Sequence, residues 1–269
     1  MTSFGLPAGY HVNLDPDGRP LPSSGPPREA PATNAAAYKY AAKRLRSRRG
    51  LSLIDLGCGM GSKLERYIAP VCHDIAGIDV RACIDFCRQR YLFGRWVADD
   101  IEAPRRQWDR VFDLILAAGV IEHLADPATL IEYARGLAHK DSVLILATPD
   151  RDRIYTPVLQ GAAAVPSAPQ RSGPPTDPTR VREWTAAELT GYLKTLDLEI
   201  LEQTWVESAR PEGWLARVCG GVGPANTLLI AAKFKKLTVQ SPAAAGAANA
   251  ATTDTAAANA AAVTTPAAK

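Results

Sequence analysis

The segment Ile54–Gly61, IDLGCGMG, is the part of the chain best suited to hold a ligand. Gly57, Gly59 and Gly61 stand two apart after an apolar run. Glycine lets the backbone turn sharply and puts no Cβ between main chain and ligand. A helix starting near Ser62 would aim its free N–H groups at the same spot. A tight strand-to-helix turn with no ligand is the alternative. Asp79 closes a second apolar run, eighteen residues after Gly61. A carboxylate there accepts both hydrogen bonds of a ribose diol. Capping the next helix is its other role, and the two are compatible. Asp99 and Asp100 end a third apolar run. One of them suits an adenine amino group, with the Ile101 N–H at a ring nitrogen. Asp100 is favoured, because the chain leaves the strand about there.

Two nucleotide cofactors compete for this pattern. A nicotinamide dinucleotide turn reads G-x-G-x-x-G. Here Ser62 takes the place of the third glycine, and Gly61 falls one residue early. Asp55, two residues before the first glycine, tells more. A carboxylate repels a diphosphate but suits a ligand carrying an ammonium and a sulfonium. The residues therefore favour S-adenosylmethionine over a dehydrogenase cofactor.

Glu122 and His123 follow a fourth apolar run. Histidine is the natural base for an alcohol near neutral pH. Capping or packing the following helix is the competing role. Two such residues make a poor metal site, so no metal is expected. Residues 149–182 carry Arg151, Arg153, Arg171, Arg180 and Arg182. They suit a phosphate or carboxylate, or else form a solvated basic loop. Trp184 is expected to anchor the helix after it rather than to stack on a substrate.

These residues need a scaffold, and the chain between 34 and 237 supplies one. Residues 34–48 read as a helix, with Asn34 as cap and Gly50 as stop. LSLIDL, DIAGID, GRWVAD, RVFDLILAAG and DSVLILAT read as strands. SKLERYIA, RACIDFCRQR and PATLIEYARGLAH read as the helices between them. Such alternation predicts an α/β fold, a parallel sheet covered by helices on both faces. The cofactor half spans 51–148. Residues 149–182 hold seven prolines, Pro149, Pro157, Pro166, Pro169, Pro174, Pro175 and Pro178, and read as a long surface excursion or lid. TAAELTGYLKTLD follows as a helix with Thr185 and Glu188 in a capping box. LEILEQTWV and TLLIAAKF complete the strands.

Composition sets the outer limits. The chain has 269 residues, 46% of them hydrophobic and 22% charged, enough apolar material to exclude full-length disorder. Residues 1–33 hold Pro7, Pro16, Pro20, Pro22, Pro26, Pro27 and Pro31 and read as an extended, loosely held segment. Residues 238–269 are rich in alanine and threonine and read as a disordered tail. A net charge of +3 does not argue for nucleic acid. No apolar run is long enough to span a membrane, and the N-terminus does not read as a secretory signal. The five cysteines, Cys58, Cys72, Cys83, Cys87 and Cys219, include no C-x-x-C pair. A disulfide framework or zinc ribbon is not expected, and a reducing cytoplasm fits best. Cys83 and Cys87 read as buried packing on one helix face.

DLGCGMG, GIDV, VADDIE and FDLILAAGVIEHLADP, in this order and spacing, resemble the class I S-adenosylmethionine-dependent methyltransferases. They resemble most the branch with an E-H-L element after strand four. The resemblance is strong over 51–150 and extends to about 234. It implies a Rossmann-like seven-stranded, mostly parallel sheet with the last strand antiparallel. It implies that Asp55, Gly57, Cys58, Gly59 and Gly61 hold the methionine part of the cofactor. Asp79 and Val80 would meet the ribose, and Asp100 and Ile101 the adenine. Ala118 and Gly119 would pass beside the methyl donor, with Gly119, Arg151, Arg153 and Arg182 on the acceptor side. Some relatives hold a metal with E-x-x-E-H, but Gly119 takes the first position here. ATPDRDR and GPP…VREWTAAEL resemble a subgroup associated with O-methylation of glycans and small molecules. In that subgroup a histidine usually precedes V-R-E-W, and here Arg180 stands there. The expected activity is O-methylation of a small-molecule or glycan hydroxyl. A non-catalytic binding protein of the same fold is the alternative.

Overall fold

The structure is a computed structural model that describes residues 6, 8–20, 35–105, 108–153, 157–160, 163–166, 173–175, 177–206 and 226–237. The expected tail, the Asn34 cap, Arg171 and Cys219 lie outside the described residues.

Helix α1 spans Ala35–Ser47. Strand β1 (Leu53–Leu56) leads through the glycine turn to a π-helical turn at Leu64–Ile68. Then come β2 (Ile75–Asp79), α2 (Arg81–Arg90), β3 (Arg95–Ala98) and β4 (Phe112–Ala118). Helix α3 (Pro127–Gly136) and strand β5 (Ala138–Pro149) follow. A short antiparallel pair, β6 (Pro157–Gln160) and β7 (Ala163–Pro166), precedes α4 (Ala186–Thr195). Strands β8 (Leu198–Val206) and β9 (Thr227–Phe234) close the fold.

The seven-stranded sheet has the order β3-β2-β1-β4-β5-β9-β8. β1 to β5 run parallel to one another, and β9, the last strand, is antiparallel to both β5 and β8. The chain goes one way from β1 to β2 and β3, then returns to place β4 on the other side of β1. Ligands in such sheets bind at this switch point, beyond the carboxyl ends of the strands.

The core lies on both faces of the sheet, and strand residues alternate between them as the pleat requires. Ile115, Ala117, Leu144, Leu146, Leu228 and Ile230 pack on the face that holds Leu130 of α3 and Leu189 of α4. Leu114, Leu116, Ile145, Ala147 and Leu229 pack on the other, with Ala41 of α1 and Ile84 of α2. Asp55 lies among buried strand residues and is itself fully buried.

Two expectations need correction. The excursion over 149–182 contains the antiparallel β6–β7 pair. The N-terminal segment is not loose over the residues described. Gly173 N donates to Gly9 O at 2.7 Å, His11 N to Gly173 O at 3.0 Å and Asn13 N to Val181 O at 3.0 Å. Tyr10 is buried, and its hydroxyl accepts the Glu183 N–H at 2.8 Å.

Candidate active site

The end of β1 sets up the cofactor side. Gly57, Gly59 and Gly61 all have positive φ, at 81°, 56° and 74°. Gly57 is needed because a Cβ there would strike the Val120 side chain. At Gly59 a Cβ would meet nothing within 4 Å, so the left-handed turn faces open space.

Asp55 has one engaged oxygen and one orphan. Its Oδ2 accepts from the Tyr38 hydroxyl at 2.8 Å. Its Oδ1 is buried with no hydrogen-bond partner among the described residues. Burial raises the carboxyl from its ordinary 3.8 to about 7, against the opposing pull of the Tyr38 bond and the Lys63 ammonium. A buried carboxylate oxygen with no partner is costly, and a cationic ligand group would satisfy it. Tyr38 was not singled out in the sequence, where it reads as one aromatic on an alanine-rich helix.

Asp79 accepts the Gly59 N–H at 2.7 Å through Oδ2 and the Val80 N–H at 2.8 Å through Oδ1. It therefore ties the glycine turn to the end of β2. Val80 beside it is 59% exposed, an apolar surface left open next to the carboxylate. Cys58 and Cys87 are buried, and both thiols reach Gly59 O, at 3.6 and 3.5 Å. Cys83 is also buried, with its thiol pushed up to about 12 by burial and by Asp79.

The structure separates Asp99 from Asp100. Asp99 accepts from the Tyr133 hydroxyl at 2.7 Å and from the Asp100 and Arg105 N–H groups at 3.0 and 3.1 Å. Asp100 is exposed and accepts only the Glu102 N–H, at 3.0 Å, among the described residues. Asp100 is thus the carboxylate with oxygen to offer. Ile101 next to it is buried in the core.

The turn after β4 carries the other half of the site. Ala118 is buried, Gly119 has φ 75°, and Gly119 N donates to Ala147 O at 2.8 Å. Glu122 is buried and accepts from the Thr148 hydroxyl at 2.9 Å. Its carbonyl accepts the Val181 and Arg182 N–H groups at 2.8 and 3.1 Å. His123 is half-buried, and its Nδ1 lies 2.7 Å from Thr179 O. A carbonyl only accepts, so Nδ1 carries the proton, and in the neutral ring Nε2 keeps its lone pair. His123 does not cap α3. Asp126 does, accepting the Ala128 N–H at 3.1 Å.

Two of the arginines expected on the acceptor side, Arg151 and Arg182, have partners within the protein. Arg151 and Arg182 are buried and share Glu188. Arg151 also donates to Glu183 O at 2.7 Å and lies 4.5 Å above the Tyr10 ring. Arg182 lies 3.7 Å from the Trp184 ring. Their charge is answered inside the protein, so they brace the 183–188 corner. Arg180 pairs with Glu183 at 2.8 Å, and Arg153 lies over the Trp205 ring at 4.3 Å. Trp184 is fully buried and packs on Tyr192 with ring centroids 5.2 Å apart, the anchor role expected of it.

A methyltransferase-domain family model matches residues 28–203. The chain belongs to this methyltransferase family. By family and fold it is a class I S-adenosylmethionine-dependent methyltransferase, with S-adenosylmethionine as cofactor. A ubiquinone biosynthesis O-methyltransferase of Rhodopseudomonas palustris (strain TIE-1) is 28% identical over 208 residues, 71% of this chain and 76% of the relative. A cyclopropane mycolic acid synthase 2 of Mycobacterium tuberculosis is 28% identical over 102 residues, 35% of this chain and 32% of the relative. An S-adenosylmethionine-dependent methyltransferase structure from Mesorhizobium loti shares the fold. Its TM-score is 0.54 at 13% identity, covering 73% of this chain and 97% of that one. A glycopeptide N-methyltransferase crystallised with S-adenosylhomocysteine also shares it. There the TM-score is 0.54 at 16% identity, over 77% and 89% of the two chains. No helix among the described residues is long and apolar enough to cross a membrane.

Proposed function

We propose that this methyltransferase methylates a hydroxyl of a small molecule, with His123 as the general base. The supporting observation is the His123–Thr179 hydrogen bond, which leaves Nε2 able to take a proton. A base matters most when the nucleophile is a hydroxyl, and an ionised or thiol acceptor needs it least. The O-methyltransferase relatives are in keeping with a hydroxyl acceptor, and a glycan or glycoside stays within this class.

The residues of the cofactor side fit S-adenosylmethionine. Asp55 Oδ1 is the orphaned buried oxygen that an ammonium would pair. Gly59 opens the main chain to the ligand, and Gly57 and Gly61 hold the turn. Asp79 would accept from the ribose hydroxyls, with Val80 against the adenosine. Asp100 would take the adenine edge beside Ile101. When bound, the cofactor supplies a methyl group on a sulfonium, a good leaving group. Ala118 and Gly119, at the tip of β4, would border the reacting centre, with Arg153 on the acceptor side. The chain's own work is then to align the acceptor, exclude water and accept the hydroxyl proton at His123 Nε2.

The test is a screen of phenols, glycosides, amines and thiols with labelled methyl donor, followed by His123→Ala on the acceptor found. The expected result is a hydroxyl acceptor, with turnover reduced about 100-fold and S-adenosylhomocysteine affinity unchanged. Transfer to amines or thiols alone, or full turnover by His123→Ala, would refute the proposal.

A further inference from the structure

The proposed base is oriented by a turn that the N-terminal segment holds from outside. Thr179, whose carbonyl fixes the His123 tautomer, lies in the 177–181 turn. Asp177 organises this turn internally. It accepts from Thr179 N at 2.9 Å and from the Thr179 hydroxyl at 2.7 Å, and its carbonyl accepts Arg180 N at 3.0 Å. On the inner side, Val181 N and Arg182 N bind the carbonyl of Glu122, the residue before His123. On the outer side sits Asn13. Its amide Nδ2 donates to Arg180 O at 3.1 Å, and its backbone N donates to Val181 O at 3.0 Å. Two residues upstream of the first of these contacts in the same strap, His11 N bonds Gly173 O. Tyr10, buried between them, receives Glu183 N and lies under the Arg151 guanidinium. The hydrogen-bond partners lie far apart in sequence, 167 residues for Asn13–Arg180 and 173 for Tyr10–Glu183, so nothing local imposes this arrangement.

We propose that residues 9–13 are a positioning strap: Tyr10 and Asn13 hold the 177–183 segment against the turn after β4, so that Thr179 O keeps His123 protonated on Nδ1 and unprotonated on Nε2. The inference rests on the reading of His123 as the base, but its geometry is read without any acceptor. Tyr10 bonds Glu183 and lies under Arg151, and Asn13 bonds Arg180 and Val181; these partners include neither His123 nor a residue placed on the cofactor. Their effect on the imidazole passes through the 177–183 segment, by way of Thr179 O. Without the strap that carbonyl loses its fixed position, and the neutral imidazole is free to move its proton to Nε2, the form that cannot accept from a hydroxyl.

The tautomer is directly observable. Nitrogen-15 NMR of the neutral imidazoles, assigned with His123→Gln, is recorded on the full chain, on Tyr10→Phe/Asn13→Ala and on a chain lacking residues 1–14. The full chain is expected to show His123 in the Nδ1–H form. In the double variant the tautomer ratio is expected to shift about fivefold toward Nε2–H, the worth of about one neutral hydrogen bond, and further in the truncated chain. S-adenosylhomocysteine affinity should stay within about twofold, since no cofactor contact changes, as expected of distant independent sites. With an acceptor in hand, kcat falls while KM for the methyl donor holds. An Nε2–H imidazole in the full chain overturns the proposal. So does an unchanged tautomer in the double variant and in a truncated chain that still binds S-adenosylhomocysteine. Should truncation prevent folding, the double variant decides alone. Full turnover by His123→Ala would sink the base assignment while leaving the tautomer result to judge the strap.

Discussion

Tyr38 donates its hydroxyl to Asp55 Oδ2 at 2.8 Å and leaves Asp55 Oδ1 buried without a partner. One end of the carboxylate is held by the protein and the other is presented. The hydroxyl comes from α1 and the carboxylate from β1, so a helix outside the glycine motif sets the angle of its acid. Tyr38→Phe should weaken S-adenosylhomocysteine binding about fivefold, the loss of one hydrogen bond to a group that must stay charged. Calorimetric titration at pH 7 checks this, and undiminished affinity would make Tyr38 a packing residue only.

The same pair gives a pH dependence. Burial raises Asp55 to about 7, whereas the unfolded chain has the ordinary 3.8. Between these values the folded protein holds a proton that the unfolded chain has lost. The Asp55 contribution to stability is therefore full below about 4 and declines as pH rises to about 7. Cofactor binding runs the other way, because an ammonium needs the carboxylate. Affinity for S-adenosylhomocysteine should rise from pH 6 to 7.5 and then level, with a proton released on binding at pH 6. Titrations in two buffers of different ionisation enthalpy count that proton. In Tyr38→Phe the rise should move to higher pH, since the lost bond is one that lowers Asp55.

Gly57 and Gly59 should separate stability from binding. Both have positive φ, but only Gly57 has a side chain, Val120, in the way of a Cβ. Gly59→Ala meets the left-handed penalty alone, about 1–2 kcal/mol. Gly57→Ala adds a steric clash and should lower the melting temperature further, by about 2–4 °C for each extra kcal/mol. Gly59→Ala should retain its fold yet bind S-adenosylhomocysteine poorly, because the new Cβ points into the ligand's space. Thermal unfolding with and without S-adenosylhomocysteine reads both effects.

Glu188 holds the 183–188 corner. It caps α4 with Thr185 and also receives Arg151 and Arg182. Glu188→Ala leaves two buried guanidiniums facing each other and should cost about 3–5 kcal/mol of stability. Urea unfolding measures it. A loss under 1 kcal/mol would mean that the arginines find other partners.

Where chemistry and local pattern coincide, the sequence was legible. RACIDFCRQR, LEILEQTWV and TLLIAAKF correspond residue for residue to α2, β8 and β9. The Thr185–Glu188 capping box is formed. Features made by distant partners were not legible. Residues 9–13 show no pattern, since their order comes from bonds to residues 173–183. SKLERYIA reads as an α-helix, but Ala69 N binds Leu64 O, which widens the turn to the π form. Such a widening follows from packing rather than from residue type. The arginines of 151–182 read as a basic loop because Glu188, which answers two of them, lies beyond it in sequence and already has a role as a cap.

The seating of a methionine-bearing nucleoside by Asp55 and Asp79, at the end of β1 and β2, is the core of the proposed function. Its most direct test is calorimetric titration of the full chain, Asp55→Asn and Asp79→Ala with S-adenosylhomocysteine at pH 8, with a reduced nicotinamide dinucleotide as control. The expected result is micromolar binding by the full chain, about 1–3 kcal/mol weaker in each variant, and no binding of the dinucleotide. Undiminished binding by both variants, or binding of the dinucleotide in place of S-adenosylhomocysteine, would contradict it.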